Sequence, residues 1–128
     1  VMREHGGELR YFRHPFLHVG DTWDKREAFE TWVAGRGYSI AVVTIDNDDY
    51  MYAAAYASAL RRGEPDAAMR LGDDYLRYMG EVFDFWEGRA EDMFGRPIAH
   101  VLLLHANSLN ADRFGELVDD FVDTVSAG

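Results

Sequence analysis

The residues best suited to chemistry in this sequence follow its apolar, strand-like runs. His105 comes directly after Val101–Leu104, and the acidic run Asp46–Asp49 follows the β-branched run Ser39–Ile45. Arg13 follows a shorter run near the N-terminus. In α/β folds the carboxyl ends of the strands carry the active site. An Asp that orients a His, together with an Arg that pairs with a carboxylate, supplies the parts of an acid–base site.

Each of these residues also has a structural interpretation. The acidic run precedes a predicted helix, where carboxylates commonly cap the helix and complement its dipole. His105 could simply bond a backbone carbonyl and end its strand. The functional interpretation requires His105 to share a pocket with Arg13 and with Asp46 or Asp49. An Asp within about 4–6 Å stabilises the protonated imidazole that a general acid needs.

A pair of histidines near the N-terminus carries a weaker signal. His14 and His18 are four residues apart, a spacing that resembles a metal-binding pair on a helix. Pro15 lies between them and favours a loop instead. The chain has no cysteine, which excludes disulfides, thiolate nucleophiles and thiolate metal sites. We therefore expect no tight zinc site within this chain.

Composition limits the class of protein. The 128 residues suit a single domain over 1–128, and 48% apolar residues are enough for a core. The net charge of −10 makes nucleic acid a poor partner. The apolar runs are too short to span a membrane. Val1–Arg10 lacks the apolar run of a signal peptide, and the sequence predicts no compartment.

Three strands and four helices are predicted, in the order β-α-β-α-α-β-α. The strands are Leu9–Phe12, Ser39–Ile45 and Val101–Leu104, and the last two lack the in–out alternation of a half-exposed strand. The helices are Asp24–Ala34, Asp48–Arg62, about Asp66 to Met93, and Ala111–Val125. Strands separated by helices indicate an α/β fold with a parallel sheet.

Three blocks resemble the polysaccharide deacetylases, the NodB-homology carbohydrate esterases. Arg-Tyr-Phe-Arg-His-Pro-Phe-Leu at 10–17 resembles the Arg-x-Pro-Tyr/Phe motif of that family. The stretch 37–50, ending in Asp-Asn-Asp-Asp-Tyr, resembles the next block. Leu-Leu-Leu-His-Ala-Asn-Ser-Leu-Asn-Ala-Asp at 102–112 is similar to the last block, which contains the catalytic His. The resemblance implies a partial (β/α) barrel, corresponding to the later part of the family's catalytic domain.

The implied activity is hydrolysis of N- or O-acetyl groups on a polysaccharide or oligosaccharide with a divalent metal, usually zinc. His105 would be the general acid, and Arg13 would hold the catalytic base. Asp49 would tune His105, with Asp46 as the competing candidate. The remaining implied positions bind substrate: the backbone N–H of Phe16 in the oxyanion hole, Tyr50 in the acetyl pocket, and Leu104.

Two family motifs are absent from the sequence. Thr-Phe-Asp-Asp would supply the base and one metal ligand, and His-x-x-x-His would supply the other two. We therefore expect a truncated or degenerate member that is inactive alone. The alternative is a non-catalytic α/β module that associates with itself or a partner through an open sheet edge, because uncovered edges and apolar surfaces favour association. A homo-oligomer is expected in that case.

Overall fold

The computed structural model describes residues 8–126, with side chains as far as residue 121. The chain divides into two compact units, with the boundary between Val42 and Val43. Within the described residues, the N-terminal unit contains one α-helix, one 3-10 turn (Pro15–Leu17) and a two-stranded sheet. The C-terminal unit contains three helices, which provide most of the buried apolar residues.

The N-terminal unit is built around a very short parallel sheet. Strand β1 (Tyr11–Phe12) pairs with β2 (Ser39–Ile40), and helix α1 (Trp23–Ala34) connects them. The Thr22 hydroxyl caps α1 by accepting a hydrogen bond from the Lys25 N–H at 3.3 Å. A parallel pair needs such a crossover, because a tight turn can join only antiparallel strands.

Three helices form the C-terminal unit: α2 (Asp49–Arg61), α3 (Pro65–Phe94) and α4 (Ser108–Ser126). Helix α3 starts with Pro65, whose missing N–H costs nothing in the first turn. It ends at Gly95, whose φ of +64° is the left-handed conformation that glycine adopts without strain.

The core of this unit consists of apolar side chains from the facing surfaces of its three helices. Its members include two tyrosines, a methionine and several small residues, namely Ala53, Tyr56, Ala59, Ala68, Tyr75, Met79, Leu109 and Leu117. Alanines from α2 and α3 keep these two helices close, which leaves room for larger side chains from α3 and α4.

The strand-like runs pair over a shorter length than predicted. In the C-terminal unit, Ile45 forms an isolated parallel bridge with Leu102. The Ile45 N–H donates to the Val101 carbonyl at 3.2 Å, and its carbonyl accepts from the Leu103 N–H at 3.1 Å. Just before the bridge, the Val101 N–H donates to the Thr44 hydroxyl at 2.8 Å, so a side chain replaces a backbone acceptor there.

The α/β class and the four predicted helices are confirmed, each within a few residues at either end. The prediction of about three parallel strands is wrong in extent. Within residues 8–126 the structure has one two-stranded parallel sheet and one bridge, and it does not show a barrel. The helices in this range are too short or too polar to cross a bilayer.

Candidate active site

The candidate site lies where the bridged segments of the C-terminal unit end. In a regular parallel ladder, Asn47 would repeat the backbone bonds that Ile45 makes. Instead the Asn47 side-chain Nδ2 donates to the Leu103 carbonyl at 2.7 Å. The Asp49 carboxylate accepts from the His105 N–H at 2.9 Å. Two side chains thus take the places of backbone groups in the ladder. As a result, the Asp49 carboxylate lies beside His105.

Asp49 is the first residue of α2, and its side chain is fully buried. Its N–H donates to the Asn47 side-chain oxygen at 2.9 Å, which fixes the start of the helix. A carboxylate at a helix N-terminus also interacts favourably with the helix dipole. Burying such a charge is costly unless hydrogen bonds replace its water shell. The surroundings of Asp49 supply those bonds.

The Asp49 carboxylate binds both the backbone and the ring of His105. Oδ2 accepts from the His105 N–H, and Oδ1 lies 2.6 Å from the ring Nδ1. The His105 side chain is 48% exposed, so the pair joins a buried carboxylate to a ring that reaches solvent. Because the carboxylate accepts, Nδ1 carries a proton and Nε2 is left for exchange with a ligand or water.

Asn110 provides a third hydrogen bond to the same carboxylate. Its Nδ2 donates to Asp49 Oδ2 at 2.7 Å and also to the His105 carbonyl at 2.8 Å. Its Oδ1 accepts from the buried Tyr75 hydroxyl at 2.6 Å. Burial raises the pKa of Tyr75, and the negative charge of Asp49 raises it further. The hydroxyl therefore stays protonated and acts as a donor.

The other predicted site residues of the C-terminal unit have different environments. Asp46 is exposed, and its carboxylate accepts from the Asn47 N–H at 3.0 Å. Of the two competing candidates, Asp49 is thus the one that binds His105. Tyr50 meets the His105 ring edge to face, with 6.4 Å between ring centres, and is 56% exposed. Leu104 is half-buried against the helical core.

Arg13 and Phe16 belong to the N-terminal unit, and their functional roles stay predictions. Arg13 is exposed. Phe16 is 93% exposed and has a φ of +52°, a left-handed conformation that is strained for a residue with a Cβ. His14 is buried between aromatic rings, whereas His18 is exposed. A single 3-10 turn, Pro15–Leu17, lies between the two histidines, and Phe16 within it is not helical.

The residues present do not fit the zinc site that the family resemblance implies. Among the described residues there is no group of three His, Asp or Glu side chains that could hold a metal ion. The buried Asp49 already has hydrogen bonds to both oxygens. The chemistry below is therefore derived from proton transfer at His105 alone.

Comparison of the chain with protein-family models, with curated proteins and with solved structures gave no match. The family resemblance thus depends on the three sequence blocks, and the chemical argument depends on the geometry around Asp49.

Two residues of the site, Asn110 and Tyr75, have no functional role in the sequence analysis. Tyr75 lies within the predicted helix from about Asp66 to Met93, and Asn110 lies within the block 102–112, but neither position has a chemical signal of its own. A usable signal is the spacing Asn107-x-x-Asn110 after His105. The Asn107 side chain caps α4 by accepting from the Asn110 N–H at 2.8 Å. This bond sets where the helix begins and so sets the position of Asn110.

Proposed function

We propose that the C-terminal unit carries the proton-transfer part of a deacetylase-type hydrolytic site for acetylated sugars. The observation that supports it is the contact between Asp49 Oδ1 and His105 Nδ1. A fully buried carboxylate that holds a half-exposed imidazole fixes the ring and leaves its other nitrogen toward solvent, which suits general acid–base catalysis. The sequence blocks around both residues favour a polysaccharide deacetylase. We therefore also propose that the fold is part of the (β/α) barrel of that family.

The mechanism open to these residues is limited and specific. In the protonated ring both nitrogens carry hydrogen, with Nδ1–H held by Asp49. After water has added to the acetyl carbonyl, Nε2–H donates its proton to the sugar nitrogen as the bond between that nitrogen and the acetyl carbon breaks. The free amine and acetic acid are released, and a proton from solvent restores Nε2–H. The Asp49 carboxylate holds Nδ1–H and stabilises the imidazolium. In this proposal Tyr50, which meets the His105 ring edge to face, contacts the acetyl group.

The test measures binding of an acetylated sugar, because acetate release is not expected from this chain alone. The ¹⁵N-labelled protein is titrated with an N-acetylglucosamine pentamer, and a fully deacetylated pentamer serves as the control ligand. We expect chemical-shift changes at the Tyr50 and His105 amides with the acetylated sugar only. Equal responses to both sugars, or changes confined to other residues, would contradict the proposal.

A pair of variants tests the assigned surface. Tyr50 and Met51 are neighbours on α2 with similar exposure, 56% and 58%. Tyr50→Ala removes a ring that contacts His105 and should weaken binding of the acetylated pentamer by roughly tenfold, as expected for loss of a packed aromatic contact. Met51→Ala should leave the affinity unchanged. Equal effects of the two variants would remove Tyr50 from the site.

A second candidate function is self-association through the N-terminal unit. Three large aromatic side chains are strongly exposed there: Tyr11 at 73%, Phe16 at 93% and Trp23 at 72%. Tyr11 lies on β1, a strand with a neighbour on one side only among the described residues. Exposed strand edges with apolar side chains favour pairing with another chain. The partner proposed for this surface is a second copy of the protein.

Light scattering with two lysine substitutions tests this candidate. Tyr11→Lys places a charge on the strand edge and should convert a dimer into a monomer. Met69→Lys adds the same charge to an exposed position of the C-terminal unit and should leave the mass unchanged. A wild-type protein that is monomeric at all concentrations would exclude self-association.

A further inference from the structure

A chain of hydrogen bonds runs inward from His105. It passes from the His105 ring to Asp49, from Asp49 to Asn110, and from Asn110 to Tyr75. The ring end is half-exposed, while Asp49, Asn110 and Tyr75 are buried. Such a polar chain inside an apolar core is stable only if each member is satisfied. Each of these four side chains has a partner within 2.7 Å.

The Asn110 amide uses all of its principal hydrogen-bonding capacity. Its two N–H groups reach Asp49 Oδ2 and the His105 carbonyl, and its oxygen accepts from Tyr75. If the amide were rotated by 180°, its oxygen would face a carboxylate and a carbonyl, and its N–H groups would face the Tyr75 hydroxyl. Both acceptors would then be repelled. The Asp49 carboxylate and the His105 carbonyl thus select one orientation of the amide, and the Tyr75 hydroxyl holds the amide oxygen in that orientation.

The orientation of Asn110 in turn limits the orientation of Asp49. Oδ2 receives the amide and the His105 N–H, so the other oxygen is directed at the imidazole Nδ1. The same amide holds the His105 carbonyl, so both ends of the His105 residue are fixed. Asn107 Nδ2 adds a weaker bond to that carbonyl at 3.1 Å.

We propose that Asn110 is a positioning residue that keeps the His105 proton on Nδ1 and leaves Nε2 free for proton transfer, and that Tyr75 anchors the Asn110 amide through its oxygen. The inference deepens the proposed function, since it depends on His105 being the proton-transfer group. Neither residue touches the reacting atoms. Tyr75 acts through Asn110, and Asn110 acts through Asp49 and through the backbone carbonyl of His105.

Nitrogen NMR of the imidazole tests the inference directly. With ¹⁵N-labelled histidine at pH 9, above the ordinary range of histidine titration, the spectrum distinguishes the Nδ1–H tautomer from the Nε2–H tautomer. We expect His105 in the wild type to be almost entirely the Nδ1–H form. Asn110→Leu removes the donor to Asp49 and should lower the ratio of the Nδ1–H to the Nε2–H form by roughly tenfold, because a hydrogen bond to a charged group is lost.

Two tyrosine variants separate positioning from a general loss of stability. Tyr75→Phe keeps the ring but not the hydroxyl, and should shift the His105 tautomer ratio in the same direction by a smaller amount. It also serves if Asn110→Leu does not fold. Tyr56→Phe is the matched control, because the Tyr56 hydroxyl donates to Asp112 at 2.8 Å and lies outside the hydrogen-bond chain from His105 to Tyr75. It should leave the ratio unchanged.

The outcomes separate this inference from the proposed function. An unchanged His105 tautomer in folded Asn110→Leu and Tyr75→Phe would overturn the positioning role, whatever the sugar titration shows. An equal shift in Tyr56→Phe would also overturn it, because the effect would then follow stability. A shifted tautomer without sugar binding would support the positioning role and reject the deacetylase-type function.

Discussion

The two units each place a histidine close to a short strand or bridge, and the surroundings make them different. In the N-terminal unit, His14 is 8% exposed and lies against the rings of Phe12 and Phe29, 5.4 and 5.2 Å between ring centres. Its Nε2 is buried and has no hydrogen-bond partner among the described residues. In the C-terminal unit, His105 is half-exposed and bonded to a buried carboxylate.

The difference shows which surroundings allow a histidine ring to exchange protons. His14 acts as an aromatic ring that fills space between apolar neighbours. His105 has one nitrogen fixed by Asp49 and one end in solvent, which allows a proton to enter and leave. Both residues follow an apolar run in the sequence, so the run alone does not distinguish them. The carboxylate partner does.

The largest expected effect comes from removing that carboxylate. Asp49→Ala leaves the buried Asn110 amide and the His105 N–H without their acceptor. The free energy of unfolding should fall by roughly 3–5 kcal/mol in urea denaturation, since each unpaired buried group is costly. Asp48→Ala is the matched control, because the neighbouring Asp48 side chain is exposed and makes no cap hydrogen bond. A loss below about 1 kcal/mol for Asp49→Ala would contradict a fully buried carboxylate.

The next effect comes from removing the ring that Asp49 holds. His105→Phe takes one partner from Asp49 Oδ1, while the backbone and Asn110 bonds stay possible. The expected loss is about 1–3 kcal/mol, smaller than for Asp49→Ala because the carboxylate keeps its bonds on Oδ2. Thermal unfolding of the two variants and of the double variant checks the order. Additive effects would show that the two side chains do not interact.

The sequence predicted the helices well because their limits are marked locally. Pro65 and Gly95 enclose α3, and apolar residues at helical spacing fill it. The sheet was predicted too long for an equally physical reason. Apolar runs such as Ser39–Ile45 indicate strands, but the sequence does not show that Asn47 and Asp49 side chains take over the hydrogen bonds of the ladder.

The candidate site could be predicted only in part. His105 and an acidic partner were expected, because both follow strand-like runs whose carboxyl ends meet. The choice between Asp46 and Asp49 depends on the register of one bridge and on the start of α2, which no local pattern fixes. Tyr75 lies 35 residues from Asn110 along the chain. Such a pairing arises from the packing of α3 against α4.

Tyr75 should link the stability of the C-terminal unit to alkaline pH. Its pKa is raised in the folded protein by burial and by Asp49. A group with a raised folded pKa contributes its full stability below its unfolded pKa, about 10 for tyrosine, and loses it as the pH rises toward the folded value. Tyr75→Phe should cost about 1 kcal/mol at pH 7 through loss of the Asn110 hydrogen bond.

Above pH 10 we expect Tyr75→Phe to become more stable than the wild type. The wild type loses stability with each step in pH, while Tyr75→Phe lacks this group and loses less. Urea denaturation at pH 7, 10 and 11 measures both curves, with Tyr78→Phe as a comparison, because burial also raises the pKa of the half-buried Tyr78. Parallel curves for wild type and Tyr75→Phe would show that Tyr75 does not titrate differently on unfolding.

The smallest effect has the opposite sign and concerns the other histidine. His14→Phe keeps the contacts with Phe12 and Phe29 and removes the buried Nε2 that has no partner. We expect the N-terminal unit to become more stable by up to about 1 kcal/mol, because an unsatisfied polar atom is replaced by carbon. Hydrogen exchange of the Ser39 and Ala41 amides, which bond Arg10 and Phe12 across the two strands, reports on this unit alone. Slower exchange of both amides is the expected result, while His105→Phe should leave them unchanged. Faster exchange in His14→Phe would mean that the His14 nitrogen has a partner in solution, and that the two histidines differ less than their surroundings indicate.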